Sequence, residues 1–355
     1  MKTKLVYVLT CASEATYIEQ ALISIWSARY HNSDAHIVLL VDDKTNELLV
    51  GKRAEILTYI SEQQVITFED TNASMMYRSR WIKTQVRELV EGDLLFIDSD
   101  TIINHSLAEV DNISHEVAAV PESNLPISEF HPSLYLPMFE TAQKVGWNLA
   151  GEEYYYSSGV IYAKDTPQAH TLFKLWHQHW LSGLEQEVKI DQPSLAKANI
   201  ECGHVINLIN NCWNYIMFTY PRNAQKANIL HFAAYRNMSF LFSKRVLGYI
   251  KEHGLTEYIK YYILHPTQSY IPFDSEFYHY GLKDYIKCYR ILKKGMKDYA
   301  DNIDTTFSDY APNNIVYKLL KIRLYKLAAV TLLTIKWKHT QLNNNYKYTE
   351  NICAK

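Results

Sequence analysis

Glycine is scarce in this chain. Only 11 occur in 355 residues, and none of them follows the first apolar run at 4–10. A phosphate-cradling loop needs glycines at that point, so its lack argues against a P-loop kinase, a Rossmann dehydrogenase and a sugar nucleotidyltransferase alike. Cysteine is also sparse. Cys11, Cys202, Cys212, Cys288 and Cys353 are odd in number, scattered and without a CxxC pair. That excludes a disulfide framework and a zinc ribbon, and the spacing of Cys202, His204 and Cys212 fits no standard zinc pattern. No apolar run reaches the roughly 20 residues needed to cross a bilayer. The apolar stretch in the first fifteen residues is too short and too quickly interrupted for a signal peptide. With a net charge of only −2, nothing points to nucleic acid. The expected location is cytoplasmic.

What is present is an ordinary globular composition, 48% hydrophobic and 21% charged, which excludes wholesale disorder. The 28 tyrosines sit mostly in the second half and read as interface packing, with sugar-binding platforms as the alternative. Strand-like runs at 4–10, 36–41, 64–69 and 94–97 alternate with helical stretches at 14–30, up to 60, and 78–90. Alternation of this kind predicts an α/β fold with a parallel sheet covered on both faces. Further strands at 116–120, 154–163 and 228–232, separated by longer helices, make the sheet mixed. From about 238 the chain reads as helical.

The fourth strand ends in Asp98-Ser99-Asp100. Backbone at a strand end is nearly extended, so residues i and i+2 point the same way. The two carboxylates could present oxygen ligands to one divalent cation at the sheet's mouth. Mg²⁺ or Mn²⁺ bound by one or two carboxylates takes its other ligands from water and substrate phosphate. This is one way to grip a nucleotide diphosphate. The plainer reading is a solvated turn carrying two acids. Asp42-Asp43 ends the second strand and is expected on the same edge.

Further stretches follow in order: Ser157-Ser158-Gly159-Val160 before an apolar run, Asp191-Gln192 at a helix start, Trp213-Asn214, and His231-Phe232 at a strand end. Taken with LLFIDSD, they resemble glycosyltransferase family 8, the GT-A group that contains glycogenin and bacterial lipopolysaccharide α-glycosyltransferases. The resemblance spans about 4–236. It departs from the family at Ser157, where an asparagine is usual, at Ala234, where a glycine is usual, and in lacking the Lys-Pro-Trp segment.

The resemblance implies a GT-A-type catalytic domain over 1–237, a mixed, mostly parallel sheet flanked by helices. A helical C-terminal region over 238–355 would follow. Asp98, Asp100 and His231 would hold Mn²⁺ or Mg²⁺, and Asp191 and Gln192 would face the transferred sugar as catalytic residues. Thr10, Ala12, Tyr17, Arg80, Ser158 and Arg236 would surround a UDP-sugar donor. The implied activity is retaining hexosyl transfer to a glycan or lipid-linked acceptor, as in bacterial surface polysaccharide or lipopolysaccharide synthesis. Each residue also has a bland reading. His231 could be an ordinary buried histidine, Asp191 an N-cap, Trp213-Asn214 a packed turn and Arg80 a solvated helix residue.

Competing functions are a haloacid-dehalogenase-like phosphohydrolase, since Asp98-Ser99-Asp100-Thr101 imitates its nucleophile loop, and a non-catalytic nucleotide-sugar-binding relative. From 315 onward eight basic residues face one acid, Glu350. Val316, Leu320, Leu324 and Leu327 recur at helical spacing there, and Lys336-Trp337-Lys338 follows. Such a tail suits peripheral binding to an anionic membrane, with packing on protein as the rival.

Overall fold

The structure is a computed structural model that describes residues 1–129, 132–148, 151–216, 221–232 and 239–266. Ala234, Arg236 and the basic tail from 315 lie outside the described residues.

The chain runs β1 (Lys4–Leu9), α1 (Tyr17–His31), β2 (Ile37–Asp42), α2 (Asp43–Glu47), β3 (Glu62–Ile66), α3 (Met75–Thr84), α4 (Val86–Leu89) and β4 (Leu94–Ile97). It continues through β5 (Thr101–Ile103), β6 (Val117–Pro121), α5 (Pro132–Lys144), β7 (Tyr156–Ala163), α6 (Pro167–Glu185) and α7 (Gln192–Glu201). Next come β8 (Ile206–Leu208), β9 (Tyr215–Ile216), β10 (Ile229–His231), α8 (Lys244–His253) and α9 (Glu257–Leu264). Seven strands form one sheet in the order β3-β2-β1-β4-β7-β6-β8. All neighbours are parallel except the two pairings of β7, which runs against β4 and β6. The mixed, mostly parallel sheet flanked by helices is therefore as expected.

The central strands are buried on both faces, as apolar runs such as IVLLVD and LLFI require. Side chains alternate between two cores. Leu5, Tyr7, Leu39, Leu95 and Ile97 pack with α1, α8 and α9. Val6, Val38, Leu40, Phe96 and Ile161 pack on the other face with Ile82, Val86, Leu172, Trp176 and Leu195 from α3, α4, α6 and α7.

Several boundaries differ from the sequence reading. The helix expected up to 60 is short α2 followed by a 3₁₀ stretch, Gly51–Thr58, because Gly51 enters it at φ +59. The helix expected from 78 begins at Met75, where the Ser74 hydroxyl accepts from the Tyr77 N–H at 3.1 Å. In a second sheet, β5-β10-β9, only β10 answers to an expected strand, the one at 228–232; β5 and β9, of three and two residues, had no sequence signature. No helix among the described residues is long and apolar enough to cross a membrane.

Trp176 is fully buried and its indole N–H donates to the Asp191 carbonyl at 2.9 Å, tying the second core to the start of α7. Trp176→Ala should lower unfolding stability by about 3–5 kcal/mol, read from urea denaturation.

Candidate active site

The carboxyl ends of β1 and β4 meet where the sheet order turns, since β2 lies on one side of β1 and β4 on the other. Ligands of open α/β sheets bind at such a point. Here an open cleft of about 180 Å³ is lined by Thr10, Tyr17, Met75, Arg80, Asp98 and Asp100, among others.

Reversal of β7 brings distant sequence to this edge. Ile97 pairs with Val160, and the Asp98 N–H donates to the Gly159 carbonyl at 2.8 Å. Ser157, Ser158 and Gly159 thus open β7 beside the acids that close β4. After Asp100 the chain enters β5, whose Thr101 pairs with His231 of β10, and the Phe232 N–H donates to the Asp100 carbonyl at 2.9 Å. The Thr101 hydroxyl closes the turn by donating to the Asp98 carbonyl at 3.0 Å.

One ligand atom from each of Asp98, Asp100 and His231 lies within 4.8 Å of the others. His231 Nε2 faces Asp100 Oδ1 at 3.3 Å, and both side chains are nearly buried. The opposite ring nitrogen, Nδ1, is 2.9 Å from the Asn214 amide oxygen, whose nitrogen donates to the Ser157 hydroxyl at 3.2 Å. Asn214 is fully buried. It therefore orients the imidazole with its proton on Nδ1 and turns Nε2 toward the acids, as the outer partners of metal-binding histidines do. Gly159 leaves room for this ring. A Cβ there would sit 2.2 Å from His231 Cε1 and 3.1 Å from Asp98 Oδ2.

The donor set of two carboxylates and an imidazole fits a divalent cation that accepts oxygen and nitrogen ligands. Charge–charge contacts tune it. Burial, then the Asp100 charge, push the Asp98 carboxyl up against the opposing pull of Lys83, His231 and Arg80. Burial would lower the His231 imidazole, but the Asp100 contact and the charge of Asp98 outweigh it and raise it.

Asp191 is buried at the start of α7 and makes no side-chain cap bond, so the capping role is not what the structure shows. Its carboxylate lies 2.8 Å from Arg80 Nε, an ion pair not aligned as a hydrogen bond, and 3.6 Å from Lys83 Nζ. Burial alone would raise this carboxyl, yet Lys83 and Arg80 outweigh it and hold it below the ordinary value. Arg80 keeps a side chain about 31% exposed on the cleft wall. Gln192 donates its amide to Glu122 at 2.8 Å and to the Tyr156 carbonyl at 2.9 Å. Thr10 lines the cleft and donates its hydroxyl to the Met75 carbonyl at 3.2 Å. Ala12 lies in the exposed turn after β1, where its carbonyl accepts the Ala15 N–H at 3.0 Å.

Four residues here escaped the sequence reading of the site: Lys83, Glu122, Asn214 and Gly159. Lys83 follows Arg80 by three positions, which puts both on one helix face; that was the available signal. Asn214 and Gly159 stood inside noticed motifs without a stated role. Glu122 has no local signal, because its 3₁₀ turn is set by positive φ at Ser123 and Asn124.

No family model matches the sequence, and no curated protein is detectably similar to it. Solved structures are. The galactosyltransferase LgtC in complex with donor and acceptor sugar analogues is 13% identical, with 65% of this chain and 87% of that one covered at a TM-score of 0.44. An active-site mutant of LgtC gives 14%, 65%, 88% and 0.44. The glycosyltransferase GlyE of Streptococcus pneumoniae TIGR4 gives 17%, 76%, 66% and 0.43. Likenesses of this degree carry no inference about the site, whose chemistry follows from its own side chains.

Gly159→Ala should displace the His231 ring and weaken Mn²⁺ binding by at least about tenfold, with the circular dichroism spectrum kept. Asn214→Leu should cost about 10–100-fold in Mn²⁺ affinity through the lost ring orientation. Because the Asp100 contact and the charge of Asp98 raise the His231 imidazole above its ordinary value, and it must be neutral to bind a metal, wild-type Mn²⁺ affinity should fall as the pH is lowered. Titration calorimetry at stepped pH checks both sign and slope.

Proposed function

We propose that the chain is a GT-A-type retaining glycosyltransferase that moves a hexose from a UDP-sugar to a glycan or lipid-linked acceptor. The observation that carries this reading is the convergence of Asp98, Asp100 and His231 on one point, the two aspartates lining a polar cleft and the histidine buried beside them. These three would hold a divalent cation. Their mixed oxygen and nitrogen set suits Mn²⁺ better than Mg²⁺, which prefers oxygen alone.

Transfer separates charge: negative on the departing diphosphate and positive at the anomeric carbon. Asp98, Asp100 and His231 would hold a cation that supplies Lewis-acid stabilisation and a template for the diphosphate. Asp191, held ionised by its two cations, is the group that would meet positive charge at the anomeric carbon. Gln192 has its amide nitrogen committed to Glu122 and Tyr156, so its carbonyl oxygen is the atom that would be left to meet substrate. Thr10 and Tyr17 would border the nucleoside, and the remaining N–H groups of Arg80 would bond phosphate oxygens. Ser158 would stand at the edge of the sugar, and Arg236 would add to the diphosphate grip. Retention of configuration and a role in bacterial surface polysaccharide synthesis belong to the same reading.

The rival phosphohydrolase would use Asp98 as nucleophile and Asp100 as acid. In the structure both Asp98 oxygens already receive Lys83, at 3.3 and 3.2 Å, and Asp100 is engaged by His231. That arrangement favours a ligand-holding pair over a displaced nucleophile.

Incubation of the protein and Mn²⁺ with UDP-, GDP- and CMP-sugars should give metal-dependent cleavage of a UDP-sugar and no phosphate release from a generic phosphomonoester. Asp98→Asn and Asp100→Asn should each reduce that turnover by more than about 100-fold, beyond the loss typical of an outer-shell residue. Full activity in both variants would reject a metal-bridged donor at this site.

A further inference from the structure

The least expected group in this site is a lysine beneath it. Lys83 of α3 has a side chain only 3% exposed. Its ammonium lies 3.3 and 3.2 Å from the two oxygens of Asp98, 3.2 Å from the Ser158 hydroxyl and 3.6 Å from Asp191. It also sits 5.1 Å over the ring of Phe96 in β4. One buried cation is thus shared between the carboxylate facing the metal position and the carboxylate facing the sugar position. The cost of leaving such a charge unpaired in the interior fixes its place.

This has a consequence for how the metal is held. A divalent cation at Asp98, Asp100 and His231 must share Asp98 with Lys83. Arg80 adds a second positive charge through Asp191. Two fixed cations therefore stand against three carboxylates around a position meant for a dication. The attraction left for a bare metal ion is small, and like-charge repulsion across one carboxylate is strong in a buried setting. A nucleotide diphosphate brings the missing negative charge with it.

We propose that Lys83 is a positioning residue that acts as a built-in counter-cation. It fixes Asp98 and Asp191 relative to each other, and it keeps metal affinity low until the diphosphate of the donor arrives. The divalent ion would then enter with the nucleotide and leave with it, instead of remaining resident between turnovers. This inference rests on the metal-dependent reading above and deepens it. The sign of the effect separates it from a packing role, since a loosened site would bind metal less well, whereas a removed counter-cation makes it bind metal better.

The test is Mn²⁺ alone, titrated against the full chain and followed by the electron paramagnetic resonance signal of the free ion, with and without UDP. Wild type should bind Mn²⁺ weakly alone and at least tenfold more tightly with UDP. Lys83→Gln and Lys83→Met remove the charge, and either should tighten binding of Mn²⁺ alone by about tenfold. Lys83→Arg keeps the charge and should stay within about twofold of wild type. Glutamine retains hydrogen-bonding capacity and guards against a variant that fails to fold, checked by circular dichroism. Unchanged or weaker Mn²⁺ binding in a folded neutral variant overturns the proposal while leaving the metal site intact. Tightening in Lys83→Arg equal to that in Lys83→Gln also overturns it, because charge would not be the cause. If wild type takes up no Mn²⁺ even with UDP, the metal-dependent reading falls and the proposal falls with it.

Discussion

Crowding of like charge at one edge of the sheet is the constraint on which the site depends. Asp98, Asp100 and Asp191 lie close together, the last two nearly buried. Carboxylates taken out of water are costly unless paired or hydrogen-bonded. Here the compensation comes from three residues on two separate parts of the chain: Arg80 and Lys83 on α3, and His231 on β10. Each is pinned by a further contact, to Asp191, Ser158 and Asn214 respectively. Charge balance explains why so many distant segments must meet at one corner.

The topology is what allows them to meet. Parallel strands alone deliver only their carboxyl ends to this edge, and β7 delivers its beginning because it runs the other way. Ser157, Ser158 and Gly159 therefore stand beside Asp98 without a long loop. The small second sheet does the same for His231, by pairing it with Thr101 immediately after the acidic pair. Gly159 marks where two of these elements approach most closely. Any side chain there would occupy the space of the imidazole.

Much of this was legible in the sequence. The alternating strands and helices, the acidic pair at the end of β4 and the mixed character of the later sheet rest on short continuous apolar runs set between helical stretches. The same reading named Asp191 and His231 only through motif order, since neither has local sequence surroundings that separate a ligand from a helix cap or a core histidine. Lys83, Glu122 and Asn214 were harder for a different reason. Their roles depend on which side chains lie across a crossover, and a lysine buried over Phe96 looks, in one dimension, like any lysine on a helix. In the second sheet β10 stood within an expected strand, whereas β5 and β9 carry too few residues to display a period at all.

Asp42 shows why proximity to the edge is not itself a sign of function. It ends β2 as Asp98 follows β4, and in the sequence its doublet with Asp43 looks as acidic as the DSD triplet. Yet Asp42 is fully buried, accepts the Thr45 N–H at 3.1 Å with one oxygen and forms an ion pair with buried Arg78 through the other. Both of its oxygens are satisfied by neighbours in the fold, and it caps α2. Asp98 differs. Its side chain is about 27% exposed to the cleft, and its cationic partner is shared with a second carboxylate. An acid closed by its own arginine is a structural joint, whereas an acid that shares one cation and opens onto a polar cleft retains attraction for a further positive charge. That difference, set by which helix residue reaches each strand end, makes the β4 edge and not the β2 edge the place where a ligand is to be sought.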